Sequence, residues 1–191
     1  MLEKVIALDK ELFVFLNGLG SESFDGLWLA ITNQLTWIPF FVLLLYLIYK
    51  KIGAKQTILL FTFVAVLVAM TDQTANLFKH SFQRIRPCND PEIKSIIRIV
   101  KESHSFGYFS AHAANSMGVA TFLFLNFRKQ YRFWGLIFLW PLIFAYSRIY
   151  IGVHFPLDIL TGYFFGVIYG TLFFYLYKKA KKKYFSDVKD N

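Results

Sequence analysis

The chain has 191 residues, of which 56% are hydrophobic, 20% aromatic and only 17% charged, with a mean hydropathy of +0.45. A soluble domain carries about a quarter charged residues, so this composition excludes disordered, coiled-coil and disulfide-scaffold chains, and the single cysteine, Cys88, excludes an intrachain disulfide. The net charge of +9 is compatible with nucleic acid, anionic lipid or membrane orientation, and its distribution decides among them.

At the N-terminus, VIALDKELFVFLNGL mixes charges with Val, Leu and Phe at helical spacing, which predicts an amphipathic helix lying on the membrane interface over residues 1–20. Asp9, Lys10 and Glu11 interrupt the apolar stretch and no small-residue cleavage site follows, against a cleavable signal. Uncharged runs follow from Gly26 to Tyr49, Gln56 to Thr71, Ala113 to Phe127, Phe133 to Ser147 and Ile159 to Tyr177. They predict an all-α polytopic transmembrane helical bundle in one domain over 1–191, with about five membrane-spanning helices besides the interfacial helix. The third and fourth runs have 15 residues, about 22 Å of helix against about 30 Å of hydrocarbon. They therefore need their polar ends, placing Ser110 and Arg148 near the interface. Pro39 and Pro141 are expected inside helices, as tolerated kinks.

Short loops force alternate connections to opposite faces. One face collects Lys50, Lys51, Lys55, Arg128, Lys129, Arg132, Lys178, Lys179, Lys181, Lys182, Lys183 and Lys189, opposed only by Asp187 and Asp190. The positive-inside rule makes that face, with the basic tail 178–191, cytoplasmic. The N-terminus, the loop 79–110 and the turn from Arg148 to Asp158 are then extracytoplasmic, periplasmic in a Gram-negative cell. The tail reads as a topology anchor on anionic lipid rather than a nucleic-acid site.

Polar residues that a bland bundle would not need fall on the extracytoplasmic face in three segments, KHSFQRIRP, FSAH and SRIYIGVHFPLD. A transferring phosphoryl group spreads charge over three oxygens, so its catalyst is chiefly a set of fixed cations and donors. Arg86 and Arg148 can each fork onto two oxygens, and Lys79 acts as a compact charge. Ser110, as the cap of the third helix, turns exposed N–H groups, that of Ala111 included, toward the same anion. Pro156 suits the first turn of the fifth helix, where Asp158 can reach back to one ring nitrogen of His154 and free the other for attack on phosphorus. His112 is available as the general acid and then as the base that activates water. These roles predict a bell-shaped pH profile, falling as His154 protonates and as His112 loses its proton.

These residues resemble the type 2 phosphatidic acid phosphatase superfamily, the membrane lipid phosphate phosphatases. Lys79 with Arg86-Pro87, Ser110 with His112, and Ser147-Arg148 with His154 and Asp158 match its three-part signature in order. The resemblance implies a helical membrane enzyme that binds phosphate with the Lys and two Arg, attacks through His154 oriented by Asp158, protonates the leaving group from His112, and needs no metal or other cofactor. Phe109 and Ala111 depart from the usual Pro and Gly of the second motif, and the methyl of Ala111 crowds the oxyanion contact. The implied reaction is hydrolysis of a phosphate or diphosphate of a membrane lipid, with undecaprenyl diphosphate ranked first as substrate, then a lipid A phosphate and phosphatidylglycerol phosphate. A non-enzymatic lipid carrier, a vanadium-dependent haloperoxidase and a structural subunit are the rival readings. Asp72, seven residues before Lys79, is expected to pair with Lys79 or a nearby Arg. His80 and His104 are read as loop residues, and Asn115 and Ser116 as helix-packing residues.

Overall fold

The computed structural model describes residues 2–185, which form helices and no strand. Six α-helices follow in order: α1 (Leu2–Gly18), α2 (Asp25–Thr32), α3 (Ile38–Phe82), α4 (Ala111–Phe127), α5 (Leu139–Tyr150) and α6 (Pro156–Tyr184). Two segments are long and apolar enough to cross a membrane, Gln34–Asn89 and Pro156–Tyr184, and a shorter apolar segment covers Trp134–Tyr150. Leu43, Ile58, Leu160, Phe164 and Tyr175 stand exposed on the outer faces of these helices, an exterior that suits lipid rather than water.

The first uncharged run is not one helix. Asn33 is extended and its side chain accepts from Leu35 N at 3.0 Å, which ends α2 and opens a 3₁₀ turn over Gln34–Trp37. Pro39 therefore sits in the first turn of α3, where its missing N–H costs nothing, rather than at a kink. Pro141 likewise falls near the start of α5, just after the 3₁₀ turn Trp134–Phe138. The break in α3 lies at Gly53, whose φ of 72° is left-handed backbone that only glycine adopts without strain. The helix folds back there: Trp37, Phe41 and Leu44 share one cavity with Val68, Val64 and Leu60. Beyond it the helix runs on past Asp72 and Lys79 and ends on Gln83 in the left-handed conformation.

α4 and α6 pack at backbone distance. A Cβ on Gly162 would lie 2.7 Å from Ser110 O, one on Gly166 2.7 Å from Ala114 O, and one on Gly170 2.6 Å from Gly118 O. This four-residue repeat of glycines lets α6 lie against Ala113, Ala114 and Gly118. Of the two residues expected to pack helices together, Asn115 does so, tying α4 to α3 through Thr71 and Asp72, whereas Ser116 bonds back to His112 O at 2.7 Å within its own helix.

α1 is docked onto the ends of α5 and α6. Asn17, fully buried, donates to the carbonyls of Ile149 and Tyr150 and accepts from Arg98 N at 2.7 Å. Phe13 meets Phe155 edge-on at 5.3 Å between centroids. The segment 83–110 wraps over the turn between α5 and α6, with Cys88 N bonded to Gly152 O and Ser110 N to Asp158 O, each at 3.0 Å. α6 continues as helix through Lys178–Lys183, so the expected tail begins as helix, and its residues 186–191 lie outside the described residues.

Candidate active site

One end of the bundle gathers the last turn of α3, the segment 83–110, the start of α4, the end of α5 and the start of α6. Pro156 opens α6 and places Asp158 in its first turn, where Oδ2 accepts from Phe155 N at 2.9 Å. The same oxygen lies 3.3 Å from His154 Nδ1. On the other side of the ring, Arg86 Nη1 is 3.0 Å from His154 Nε2. An arginine can only donate, so Nε2 accepts and the ring proton resides on Nδ1 toward Asp158. His154 is 2% exposed and Asp158 0%.

Arg86 is itself held by four contacts. Nε donates to Ser105 O at 2.7 Å, Nη2 to Ser105 Oγ at 3.0 Å, and Nη1 to Val153 O at 2.8 Å as well as facing His154. Arg148, in the last turn of α5, donates through Nη1 to Thr32 Oγ1 at 2.7 Å, while its buried Nε has no partner. A buried guanidinium nitrogen without an acceptor is costly unless a ligand supplies one, and phosphate oxygens are such acceptors. Lys79 lies close enough to interact electrostatically with Arg86, Arg148, His112 and His154. Three cations thus surround two imidazoles.

Ser110 is the N-cap of α4, its Oγ accepting from Ala113 N at 3.4 Å, and Ala111 is the first residue of the helix. His112 packs its ring 5.2 Å from that of Phe144 and feels the charges of Arg148, His154, Lys79 and Arg86. It also lines an apolar cavity of about 370 Å³, together with Trp37, Phe41, Leu60, Val64 and Phe144. Imidazole and hydrocarbon-sized space adjoin.

His154 occupies the connection between α5 and α6, and its pKa is held well below the ordinary imidazole value, first by burial and then by Arg86, Arg148, Lys79 and Arg84. The neutral ring, with a lone pair on Nε2, is the form that can attack phosphorus.

The expected pairing of Asp72 is corrected. Its Oδ1 accepts from Asn115 Nδ2 at 2.8 Å, and Asn115 Oδ1 accepts from Thr71 Oγ1, so an amide holds this carboxylate, and Lys79 interacts with it only at longer range. Asp72 finds its polar neighbour across the helix interface because Lys79, seven residues on, lies two turns further along α3, whereas Asn115 of α4 faces it directly. The sequence reading also missed Arg84, Asp9, Thr32 and Ser105. Arg84 stands two residues before Arg86 in the first motif, and Asp9, Phe13 and Asn17 recur every fourth residue on one face of α1, a pattern that marks a buried stripe with polar members.

Cations arrayed around a buried imidazole at one end of an apolar-surfaced helical bundle suit the phosphate of a membrane lipid. The chain belongs to the PAP2 superfamily, whose model matches residues 62–182. It is 34% identical to a lipid A 4'-phosphatase of Bacteroides thetaiotaomicron, over 98% of this chain and 84% of that protein. A lipid A 4'-phosphatase of Porphyromonas gingivalis is 29% identical, over 96% of this chain and 78% of the relative. An undecaprenyl-diphosphatase of Sulfolobus acidocaldarius is 28% identical, over 86% and 76%. In fold, the chain is similar to the crystal structure of a transmembrane PAP2-type phosphatidylglycerolphosphate phosphatase from Bacillus subtilis, with a TM-score of 0.69 at 18% identity, covering 97% of this chain and 90% of that one. The protein is a membrane lipid phosphatase of the PAP2 type, a hydrolase of phosphoric esters.

Proposed function

We propose that this enzyme removes a phosphate monoester from a lipid A-type glycolipid through a phosphohistidine on His154. The observation that carries the mechanism is the buried His154 held between Asp158 at Nδ1 and Arg86 at Nε2. Lys79, Arg86 and Arg148 bind the phosphate oxygens, joined by the hydroxyl of Ser110 and the N–H of Ala111. Nε2 attacks phosphorus, the bond to the leaving oxygen breaks, and His112 gives that oxygen its proton. His112 then takes a proton from water, the hydroxide displaces Nε2, and inorganic phosphate leaves. The residues alone supply each of these proton transfers, and the reading invokes no metal.

Support for the substrate comes from the relatives. Undecaprenyl diphosphate, ranked first on the sequence, gives way because the two lipid A 4'-phosphatases match nearly the whole chain, the first at higher identity than the undecaprenyl-diphosphatase. The sequence reading of five spans is kept, with the halves of α3 on either side of Gly53 as the first two and the site on the extracytoplasmic face opposite the basic clusters. The domain assignment is likewise retained: one membrane-embedded unit, whose segment 79–110 builds the site.

Purified enzyme in detergent, given bisphosphorylated lipid A, undecaprenyl diphosphate and phosphatidylglycerol phosphate in separate assays, tests the reading. Mass spectrometry should show lipid A losing one phosphate, at the 4' position, faster than either other lipid releases phosphate. Faster release from undecaprenyl diphosphate would overturn the substrate assignment. Full activity in His154→Ala would overturn the mechanism.

A further inference from the structure

Asp158 uses only one of its oxygens on His154. The other, Oδ1, accepts from Arg84 Nη1 at 2.7 Å, and the second arm of that guanidinium, Nη2, donates to Asp9 Oδ2 at 2.5 Å. Asp9 lies on α1, outside the residues 62–182 that match the family model. Its Oδ1 accepts from Leu157 N at 2.8 Å, so one carboxylate both holds Arg84 and satisfies an open N–H in the first turn of α6. The side chain of Asp9 is 2% exposed and that of Arg84 20%, and the guanidinium lies 4.2 Å above the ring of Phe155. Arg84 is thereby held by a carboxylate at each arm and by the Phe155 ring beside its guanidinium.

A guanidinium with one arm free would turn toward Asp158 alone and compete with the imidazole for that carboxylate. With Asp9 on the other arm, Arg84 neutralises Asp158 without drawing it off His154. We propose that Asp9 and Arg84 are positioning residues for the reaction, and that the N-terminal helix thereby aims the Asp158–His154 couple at phosphorus. The inference rests on the phosphohistidine reading above. α1 is then part of the catalytic apparatus and does more than rest on the interface.

The test measures phosphate release by purified enzyme in detergent from whichever of the three lipids above it hydrolyses fastest, with inhibition by inorganic phosphate as a measure of the intact anion site. Asp9→Asn keeps an oxygen for Leu157 N and loses the charge facing Arg84. It should lower kcat about tenfold or more while KM and the phosphate inhibition constant stay within about twofold. Lys10→Gln, which removes the ion pairs of α1 to Asp90 and Glu92 without touching Arg84, should keep kcat within about twofold of wild type. Asp9→Asn with wild-type kcat, or Lys10→Gln with an equal loss, would overturn the inference, the latter by showing that mere docking of α1 is at stake. If Asp9→Asn does not fold, Arg84→Lys asks the same question, because an ammonium cannot serve both carboxylates in one plane. A kcat-selective loss supports the link and wild-type kcat removes it. His154→Ala in the same assay separates the two levels: activity in that variant breaks the phosphohistidine reading, whereas its inactivity beside a fully active Asp9→Asn breaks only the role of Asp9.

Discussion

The protonation of His154 sets how the site responds to pH. Burial and the cations Arg86, Arg148, Lys79 and Arg84 oppose a positive imidazole, so its folded-state pKa lies below that of the unfolded chain, about 6.5. The sign follows from linkage. As pH falls through about 6.5 the unfolded chain gains a proton that the folded one refuses, so folding stability is lost on acidification, while the neutral nucleophile persists below that pH. The acid limb of kcat/KM is therefore expected below about pH 6.5, and a pH profile of phosphate release checks it. A limb at or above that value would contradict the burial seen here. Asp158→Asn should lower kcat by about a thousandfold or more, because an amide can present its NH₂ to Nδ1 and favour the wrong tautomer. Steady-state kinetics beside a circular dichroism spectrum distinguish that loss from unfolding.

Among elements, the α4–α6 contact is where single atoms matter most. A methyl on Gly166 would meet Ala114 O at 2.7 Å and Gly118 N at 2.9 Å, both backbone atoms that cannot swing aside. Gly166→Ala should destabilise the protein by about 1–3 kcal/mol, the range for overpacking, and lower its thermal midpoint in detergent. Gly135→Ala, at a position with nothing within 4 Å, should leave that midpoint unchanged. Equal midpoints for the two variants would mean that the helices separate readily. Because Ser110 and Asp158 begin these same two helices and share the bond from Ser110 N to Asp158 O, slippage between α4 and α6 would also misplace the phosphate donors relative to His154.

For the whole molecule, the alternation of helix directions carries Lys79, Ser110, Arg148 and Asp158 to one end and residues 50–55, 128–132 and 178–183 to the other. Under the positive-inside reading the two ends face opposite compartments. Cys88 is buried and so gives a low background for thiol labelling. In intact cells, a membrane-impermeant maleimide should label Glu102→Cys without permeabilisation and Lys129→Cys only after it. The reverse pattern would place the site in the cytoplasm.

The extent of apolar runs, the sidedness of charge and the three motif segments were legible in the residues because each is a local pattern with its own physical cause. Helix joints were less so: the run from Gly26 to Tyr49 conceals a break, since the Asn33 side chain supplies a cap that hydropathy does not register. The glycines at 162, 166 and 170 form a four-residue repeat that is readable in the residues themselves. Asp9 and Arg84 were legible only as charges. Sequence by itself determined the chemistry available to this protein, a histidine, an aspartate and three cations at fixed spacings, because identity and short-range geometry are properties of the chain. Only the tertiary structure decided that the N-terminal helix reaches Asp158 and that Asp72 turns to Asn115, because long-range partners depend on which helices lie within a few ångströms, and distance along the chain does not encode that.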